Sequence, residues 1–235
     1  MRFPEPLRPA TLLRRYKRFL ADARLPDGSE VTLHCPNPGA MLGLAEPGMR
    51  IWLKTGRGKL KYGWVLTELP SGAMVGIDTT LPNRLVAEAL QAGRIPELAG
   101  YGEIRPEVPY GENSRVDFRL SNAARPDGRP DCYLEVKNVH LSRRPGLAEF
   151  PDCVTARGAK HLRELAIQAQ AGQRAVMLFL VQRPDCREFR LAADCDPGYW
   201  AAFHEARKAG IEALCYACDV TLQGIALAQP LPILD

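Results

Sequence analysis

The side chains of this chain that are best suited to chemistry are those of Asp117, Glu135 and Lys137. Asp117 lies in the segment 114–120, and the other two lie in the segment 132–137. Both segments alternate charged with apolar residues, which is typical of short strands that have one charged face and one apolar face. We therefore expect the two carboxylates and the ammonium group on the charged faces of two strands.

The sequence between these strands predicts a hairpin. Residues 124–130 read Ala-Arg-Pro-Asp-Gly-Arg-Pro, which is strong turn chemistry. A hairpin centred on residues 125–127 sets Asp117 opposite Glu135, where facing like charges destabilise a sheet. A hard divalent cation between the carboxylates reverses that effect, because Mg²⁺ binds carboxylate oxygens together with substrate phosphates. Lys137 shares the face of Glu135 and is expected to steady a phosphate or a water.

A second interpretation of the same residues is a solvated hairpin face with scattered charges. Charged alternation is common in antiparallel strands that have one face in water. A shift of one residue in the register also turns one set of charges to the opposite face. The residues of these two strands leave both interpretations open.

Length and composition limit the classes of protein to which the chain can belong. Its 235 residues are 46% hydrophobic and 25% charged, which is ordinary for a globular protein of one large or two smaller domains. The net charge of +4 is unevenly distributed: residues 1–80 carry 12 Lys and Arg against 7 Asp and Glu, whereas residues 81–235 carry 19 against 20. This asymmetry favours a polyanionic partner for the first third of the chain.

The sequence shows no pattern of secretion or of membrane insertion. The segment 1–6 lacks the apolar run of a secretory signal, and no stretch of about 18 apolar residues predicts a membrane helix. We therefore expect a cytoplasmic protein, in a compartment that keeps thiols reduced. Of the seven cysteines, Cys215 and Cys218 have metal-ligand spacing, with Cys186 and Cys195 as candidate further ligands of a structural zinc. Buried, inert thiols are the interpretation that we favour.

Residues 1–80 are predicted to form a first domain, a small β-barrel like that of oligonucleotide-binding folds. Short strands separated by turns rich in Pro and Gly are expected at residues 14–25, 30–34, 50–53, 61–69 and 73–77. Aromatic and basic residues interleave there, as on barrels that hold nucleic acid by base stacking and backbone charge. The expected nucleic-acid contacts in the barrel are Arg15, Lys17, Arg18 and Tyr62. For Trp52 and Trp64, a place in the core is equally consistent with the pattern.

Residues 81–235 are predicted to form a second domain, a mixed sheet flanked by helices, so that the whole chain is of the α+β or mixed class. Helices are expected at residues 85–93, 155–170 and 197–210, a strand buried on both faces at 175–182, a last strand at 211–217 and a loop at 140–151. Glu88 lies near the apolar side of the first helix, as a site residue or as an ordinary surface glutamate. The expected phosphate contacts of this domain are Arg115, Arg157 and His161. For His161 the alternative is a place on the surface or behind a residue that contacts the ligand directly.

The order of these residues resembles the core of the PD-(D/E)xK nuclease superfamily. In that core a helix with an acid precedes a strand with an Asp and a strand with Glu-x-Lys, and this chain offers Glu88, Asp117, then Glu135 and Lys137. Val116 stands where that motif has Pro. Over nearly its whole length the chain also resembles the sugar fermentation stimulation protein A family of bacteria and archaea. The segments that carry this resemblance are RYKRFLAD (15–22), HCPNPGAM (34–41), DTTLPN (78–83), SRVDF (114–118), EVKNV (135–139) and residues 150–162.

The resemblance implies an oligonucleotide-binding barrel, a nuclease-like second domain, DNA binding and a link to sugar (maltose) metabolism. The first hypothesis is therefore a nuclease in which Asp117 and Glu135 hold Mg²⁺ or Mn²⁺ and in which Lys137 and Glu88 take part in catalysis. Its partner is expected to be DNA, bound without sequence specificity or according to its structure. The second hypothesis is a non-catalytic DNA-binding regulator of sugar (maltose) metabolism genes, since fold does not fix function. A carbohydrate- or nucleotide-binding protein that uses the barrel cleft is the third.

Overall fold

The first six strands build the barrel in the computed structural model, which describes residues 1–56, 58–111, 114–122 and 129–234. They are β1 (Arg8–Tyr16), β2 (Leu20–Arg24), β3 (Glu30–His34), β4 (Arg50–Thr55), β5 (Tyr62–Glu68) and β6 (Met74–Gly76). Strand β1 pairs with β2 and β4, β2 with β3, and β4 with β5. A parallel pairing of β3 with β5 closes a ring of five strands, which is the predicted oligonucleotide-binding type of barrel, and β6 extends the sheet along β5.

The segment 14–25, which was expected as a single strand, is the end of β1 followed by β2. The chain reverses at Lys17 and Arg18, whose φ angles are 49° and 61°. Left-handed backbone of this kind is uncommon outside Gly, Asn and Asp. The lysine and arginine at these positions therefore gave no sequence signal for the turn. The reversal leaves Lys17, Arg18 and Phe19 exposed at the tip of a hairpin.

Both barrel tryptophans have structural positions. Trp64 is fully buried among the side chains that fill the barrel, and its indole nitrogen donates to the carbonyl oxygen of Leu66 at 3.0 Å. Trp52 packs at the edge of a different core, and its indole nitrogen donates to Glu68 at 3.1 Å. Packing therefore explains these two residues, and neither presents a free ring to a nucleic-acid base.

The rest of the chain forms two further sheets and three helices. In chain order the elements are α1 (Pro82–Gln91), a 3₁₀ turn (Pro96–Leu98), β7 (Glu103–Tyr110), β8 (Ser114–Ser121), β9 (Cys132–Val139), β10 (Leu141–Arg144), β11 (Leu147–Phe150), α2 (Ala156–Gln170), β12 (Arg174–Val181), β13 (Glu188–Leu191), α3 (Pro197–Lys208), β14 (Glu212–Thr221), β15 (Gly224–Pro230) and β16 (Ile233–Leu234). The main sheet has the order β15-β14-β12-β9-β8-β7, and it is mixed because β12 runs parallel to β9 and β14 while the outer pairs are antiparallel.

The predicted loop at residues 140–151 is wrong, because β10 and β11 form a hairpin there. These strands belong to a small sheet of order β10-β11-β13-β16. The hairpin surrounds the buried carboxylate of Glu149, which pairs with Arg143 at 2.8 Å and with Arg190 of β13 at 2.8 Å. The partner strand lies about 40 residues further along the chain, so local patterning carried no signal for it.

The main sheet separates two hydrophobic cores. Helix α1 packs on one face with Leu85 and Val86, and helices α2 and α3 cover the other face with Leu165 and Phe203. Strand β12 contributes to both cores, as its continuous apolar run predicted. Because side chains alternate, Cys132, Leu134 and Val136 of β9 point towards α1, and the charged residues of β9 point towards α2.

The cysteines Cys215 and Cys218 do not share a metal site. Cys215 lies in the core beneath α2 and α3, whereas Cys218 lies in the core on the α1 side of the sheet. Within the described ranges, no group of three or more His, Cys, Asp or Glu side chains has the arrangement of a metal site, and all seven cysteines are free. The expectation of buried thiols therefore holds for both residues of this pair. None of the described helices has the length and hydropathy of a membrane span.

Candidate active site

The register of β8 and β9 brings the two predicted carboxylates to one place. Phe118 pairs with Leu134, and Leu120 pairs with Cys132, which is the register that sets Asp117 beside Glu135. The turn predicted at residues 125–127 lies outside the described residues. Just beyond the last pair, the carboxylate of Asp117 accepts a hydrogen bond from the backbone N–H of Val136 at 2.7 Å. The carboxylate of Asp117 is therefore the hydrogen-bond acceptor for this N–H, in place of a backbone carbonyl, and it is held against β9.

A second donor fixes Asp117 from the side of α1. The amide of Asn83, the second residue of α1, donates to Oδ1 of Asp117 at 2.7 Å, while Oδ2 accepts from Val136. Burial raises the pKa of Asp117, and the nearby charge of Glu135 raises it further, against the opposing effect of these two hydrogen bonds. The register of β8 and β9 sets the two carboxylates on one face, where their like charges repel each other.

Glu135 is buried and is surrounded by positive or proton-donating groups. Its Oε1 accepts from Nζ of Lys137 at 2.8 Å and contacts Nδ1 of His161. Burial acts to raise the pKa of Glu135, but the hydrogen bond of His161 and the charge of Lys137 outweigh it, so that the pKa lies below its ordinary value. Glu135 is therefore ionised at neutral pH, with a charge that its neighbours stabilise.

His161 reaches the carboxylate from α2, where the sequence predicted a phosphate contact. Its side chain is buried, and Nε of Arg157 donates to its Nε2 at 3.3 Å. Because Nε2 accepts, the ring proton lies on Nδ1 and is donated to Glu135. The placement favours the alternative in which His161 lies behind a residue that contacts the ligand directly, because its ring contacts Glu135, and a direct phosphate contact stays a prediction.

These residues line one side of an open cleft of about 730 Å³ between the barrel and the main sheet. Its walls are formed by the barrel loop, the start of α1, the ends of β8 and β9, and the first turns of α2. The residues that line it include Pro38, Thr79, Asn83, Ser114, Arg115, Lys137, Asn138, Arg157 and Lys160. Arg115 and Arg157 are exposed there, as predicted for phosphate contacts. Two central carboxylates in a mainly basic rim are the charge pattern that a phosphodiester with a bound dication fits.

The barrel wall of the cleft is held by Arg15, which the sequence predicted as a nucleic-acid contact. Its guanidinium donates to the carbonyl oxygens of Asn37 and Gly39 at 2.8 Å, of Arg18 at 3.0 Å and of Ala40 at 3.5 Å. These four bonds engage its Nη atoms within the protein. Arg15 is therefore a structural residue that shapes the loop carrying Pro38 into the cleft.

Asp152 fastens the same loop to the second part of the chain. Its Oδ2 accepts from the backbone N–H of Met41 at 3.0 Å and lies 3.3 Å from Nε2 of His140. A side chain on Gly39 would overlap the carboxylate of Asp152, so this close approach requires glycine. The loop is consequently fixed relative to β9, which carries Glu135.

Glu88 does not belong to the cleft. Its carboxylate lies on the far side of α1, 2.7 Å from the ammonium group of Met1 and about half exposed. The predicted catalytic role of Glu88 is therefore withdrawn. The helix supplies Asn83 to the cleft instead, five residues earlier and on a different helical face.

The remaining predicted contacts lie on the barrel. Lys17 and Arg18 are exposed at the β1–β2 turn, next to Phe19, whose ring stacks on His34 with centroids 6.4 Å apart. Tyr62 is half-buried and lines a separate cavity beside the barrel. The structure thus divides the predicted barrel contacts into an exposed tip and a more enclosed site.

Family models match most of the chain. Residues 13–77 match the model described as the SfsA N-terminal OB domain, and residues 80–224 match the model described as the Sugar fermentation stimulation protein RE domain. The chain belongs to the sugar fermentation stimulation protein family.

Relatives in this family align with the chain from end to end. The sugar fermentation stimulation protein homologue of Jannaschia sp. (strain CCS1) is 62% identical over 237 residues, covering 99% of this chain and 97% of the relative. The homologue of Azorhizobium caulinodans is 57% identical and covers both chains fully. The solved structure of Pyrococcus furiosus SfsA in complex with Ca²⁺ superposes with a TM-score of 0.89 at 28% identity, over 100% of this chain and 98% of that one. This likeness extends to the whole arrangement of barrel and second domain.

Sequence reasoning missed three positioning residues of this family member. Asn83 and Asp152 support Asp117 and the barrel loop, and Glu164 accepts from Ser114 at 2.9 Å at the edge of the cleft. Asn83 and Asp152 lie in the segments that carried the family resemblance, but their partners are distant in sequence. Glu164 lies one turn beyond His161, on the same helical face, which was the one local signal for it.

Proposed function

We propose that this protein is a divalent-cation-dependent nuclease that cleaves phosphodiester bonds of DNA in the cleft of Asp117 and Glu135. One observation carries the proposal: two carboxylates from neighbouring strands share a cleft, and Lys137 lies 2.8 Å from the second of them. The order Asp, then Glu-x-Lys on the next strand, is that of the PD-(D/E)xK nucleases. The basic rim of the cleft supplies the attraction for a polyanion.

The residues present fit a hard cation. Oε2 of Glu135 is buried and has no hydrogen-bond partner among the described residues, although the other carboxylate oxygen has two. The two carboxylates repel each other, and Lys137 offsets only one of their two negative charges. A cation between them would offset the other. Asp117 and Glu135 would therefore hold Mg²⁺ or Mn²⁺, which takes one or two carboxylates together with substrate phosphates. When bound, the ion supplies Lewis acidity towards the phosphate and lowers the pKa of a coordinated water.

The other cleft residues position the phosphate and the water. Lys137 would stabilise the negative charge that develops on the phosphate, because its ammonium lies beside Glu135, a proposed ligand of the cation. Arg115 and Arg157 are placed to bind the flanking phosphates. His161 keeps Glu135 ionised and oriented. The solved structure of Pyrococcus furiosus SfsA in complex with Ca²⁺ supports the choice of a hard cation.

DNA binding in this proposal extends from the cleft to the tip of the barrel. Lys17, Arg18 and Phe19 present two cations and an aromatic ring to solvent. Basic and aromatic side chains on such barrels bind single strands by charge and stacking. Seven free cysteines agree with the cytoplasm, where thiols stay reduced, as the place of this activity.

The deciding experiment combines cation binding with cleavage. Mn²⁺ is titrated calorimetrically into wild-type protein, Asp117→Asn and Lys137→Met, and each is incubated with single-stranded, double-stranded and branched DNA. We expect Asp117→Asn to lose both cation binding and cleavage, and Lys137→Met to keep the cation. Wild-type protein that binds no Mn²⁺ and leaves every DNA intact would refute the nuclease proposal.

A non-catalytic DNA-binding regulator is the second candidate, favoured by the exposed tip of Lys17, Arg18 and Phe19, which presents two cations and an aromatic ring to solvent. For this function the cleft needs no cation. Binding that weakens steeply with salt, with no cleavage in Mg²⁺ or Mn²⁺, supports it. Arg18→Ala is expected to reduce the dependence of log affinity on log salt by about 0.9 for double-stranded DNA. The exposed Arg144→Ala on β10 is the matched control and is expected to leave the slope unchanged.

A further inference from the structure

A second cavity, here called the basic pocket, opens beside the first turn of α1. Its volume is about 560 Å³, within the range of roughly 300–1,000 Å³ that is typical of small-molecule sites. Leu81 and Arg84 line the basic pocket, whereas Pro82 and Asn83 line the cleft of the carboxylates. The two cavities are therefore neighbours that share one helical turn.

Three cations of the basic pocket, Arg2, Lys59 and Arg84, have no counter-ion among the residues that the structure describes. Within the described part of the chain, no ion pair or side-chain hydrogen bond engages Arg2, Lys59 or Arg84. Lys54 differs, because its ammonium lies 2.5 Å from the buried carboxylate of Asp78 and is neutralised there. Clustered cations without partners repel one another, so their convergence favours an anionic ligand.

The first turn of α1 adds to this positive potential. It carries no acidic residue, and no side chain caps the N-terminus of the helix. The positive end of the helix dipole is thus not offset by a carboxylate of the helix itself. Glu5 is the acidic residue among those that line the basic pocket, and it is exposed. The positive charge of Arg84 is therefore reinforced by the helix on which it lies.

The floor of the basic pocket is apolar. Leu7, Val65 and Leu81 are buried there, and the rings of Phe3 and Tyr62 form part of the wall. A site for inorganic phosphate alone needs no such floor. A site for an uncharged sugar needs no cluster of unpaired cations. The combination of aromatic and apolar walls with a cationic rim matches an aromatic ring joined to a phosphate.

We propose that the basic pocket binds a nucleoside monophosphate unit. The phosphate lies between Arg84 and Lys59, and the base packs on Tyr62 over the apolar floor. The same chemistry has two sources, a free nucleotide or the terminal nucleotide of a nucleic-acid strand. Because the basic pocket shares the first turn of α1 with the cleft, a strand bound in the cleft has a short path to it.

The binding test uses the full chain in EDTA, so that cleavage plays no part. AMP, adenosine and inorganic phosphate are titrated calorimetrically into wild-type protein, Arg84→Gln and the control Arg144→Gln, an exposed arginine on β10. We expect AMP to bind at least tenfold more tightly than either fragment, Arg84→Gln to weaken AMP at least tenfold, and Arg144→Gln to match wild type. Equal binding of AMP by Arg84→Gln and wild type, or no binding of AMP by wild type, overturns the proposal.

A second measurement uses wild-type protein only and so does not depend on the folding of a variant. Lysine acetylation is followed residue by residue by mass spectrometry with and without AMP. We expect AMP to protect Lys59 at least threefold and to leave the exposed Lys208 of α3, on the opposite face of the main sheet from α1, unprotected. Equal protection of the two lysines overturns the assignment of the site.

The source of the nucleotide is decided with two oligonucleotides of one sequence, one carrying a 5′-phosphate and one a 5′-hydroxyl. Tighter binding of the phosphorylated strand, relieved by AMP, identifies the terminal nucleotide; equal binding of both strands beside tight AMP binding identifies a free nucleotide. Asp117→Asn separates this site from the cleft, because it removes the proposed cation ligand and is expected to bind AMP like wild type. The outcome for AMP is thus independent of whether the cleft proves to be a nuclease.

Discussion

The charged groups of the cleft are held by hydrogen bonds, whereas those of the barrel tip are exposed to solvent. In the cleft, Asp117 accepts from two donors and Glu135 from two more, so that each carboxylate has a defined position. At the barrel tip, Lys17 and Arg18 extend into solvent from a two-strand turn. A cleft with held charges suits chemistry at one phosphodiester bond. A solvated tip suits attraction to a polyanion that has no single bound geometry.

The largest expected effect concerns Lys137 in the cleft. Lys137→Met removes the ammonium beside Glu135 and is expected to lower the rate of DNA cleavage by roughly 10²- to 10³-fold, the usual size of one lost transition-state contact. Mn²⁺ binding is expected to persist, because the carboxylates remain. Initial rates on labelled DNA measure the effect. Glu88→Gln, on the far side of α1, is the control. A comparable loss of rate in that variant would mean that Glu88 takes part in catalysis.

The next effect tests the division between structural and exposed cations in the barrel. Arg15→Ala leaves four backbone carbonyls without their donor and is expected to lower the free energy of unfolding by about 2 kcal/mol. Arg18→Ala is expected to change it by less than about 0.5 kcal/mol, because its side chain is exposed. Urea denaturation followed by circular dichroism measures both. Equal losses in the two variants would remove the distinction.

A smaller effect concerns the pH dependence of cation binding. His161 lowers the pKa of Glu135, so His161→Ala is expected to raise it and to make the cation compete with a proton at higher pH. The curve of Mn²⁺ affinity against pH, measured between about pH 5 and about pH 8, is then displaced to higher pH. His204→Ala, on α3 with its ring against that of Trp200, is the matched control. An undisplaced curve for His161→Ala would mean that Lys137 alone sets the ionisation of Glu135.

The smallest effect is a gain in stability from Asp117→Asn. Burial and the charge of Glu135 raise the pKa of Asp117 in the folded state, so its stabilising contribution is present at low pH and is lost as the pH rises through the folded pKa. Without a cation, the free energy of unfolding of the variant is expected to exceed that of wild type by on the order of 1 kcal/mol at neutral pH. Below about pH 3.8 we expect no difference. Urea denaturation in EDTA at the two pH values measures it.

Asp22 supplies the contrast for that measurement. The hydrogen bond from Arg14 lowers the pKa of Asp22, so its contribution is present above the unfolded pKa and is lost as the pH falls through the folded one. Asp22→Asn is therefore expected to destabilise the protein at neutral pH, with the opposite sign to Asp117→Asn. The same sign for both variants would contradict the like-charge repulsion in the cleft.

The predicted part of the candidate site is the part that depends on local pattern. Strand periodicity and the turn run at 124–130 indicated a register in which Asp117 lies beside Glu135, although a shift of one residue stayed open, and the pairing of Phe118 with Leu134 confirms that register. Short-range alternation is informative because one strand face must be buried, and a shift of one residue would turn the charged side chains into the core.

The unpredicted part depends on partners that are distant in sequence. Arg15 resembled a nucleic-acid contact in the sequence, but the backbone carbonyls of Asn37 and Gly39 engage it in the fold. Glu88 shares α1 with Asn83, yet the helix turns it away from the cleft. Residue type does not separate these cases, because a cation that pairs internally and a cation that stays exposed look alike in sequence.

The amino-acid sequence by itself determined the β-barrel, the mixed second domain, the strands that carry the acidic residues and the membership of a family. Those features follow from periodicity, turn residues and segment matches, all of which are local properties of the chain. The tertiary structure alone decided which charged groups pair with one another and which remain open to a ligand, as His161 and Arg84 show. The physical reason is that ion pairing acts over a few ångströms in space, regardless of separation along the chain.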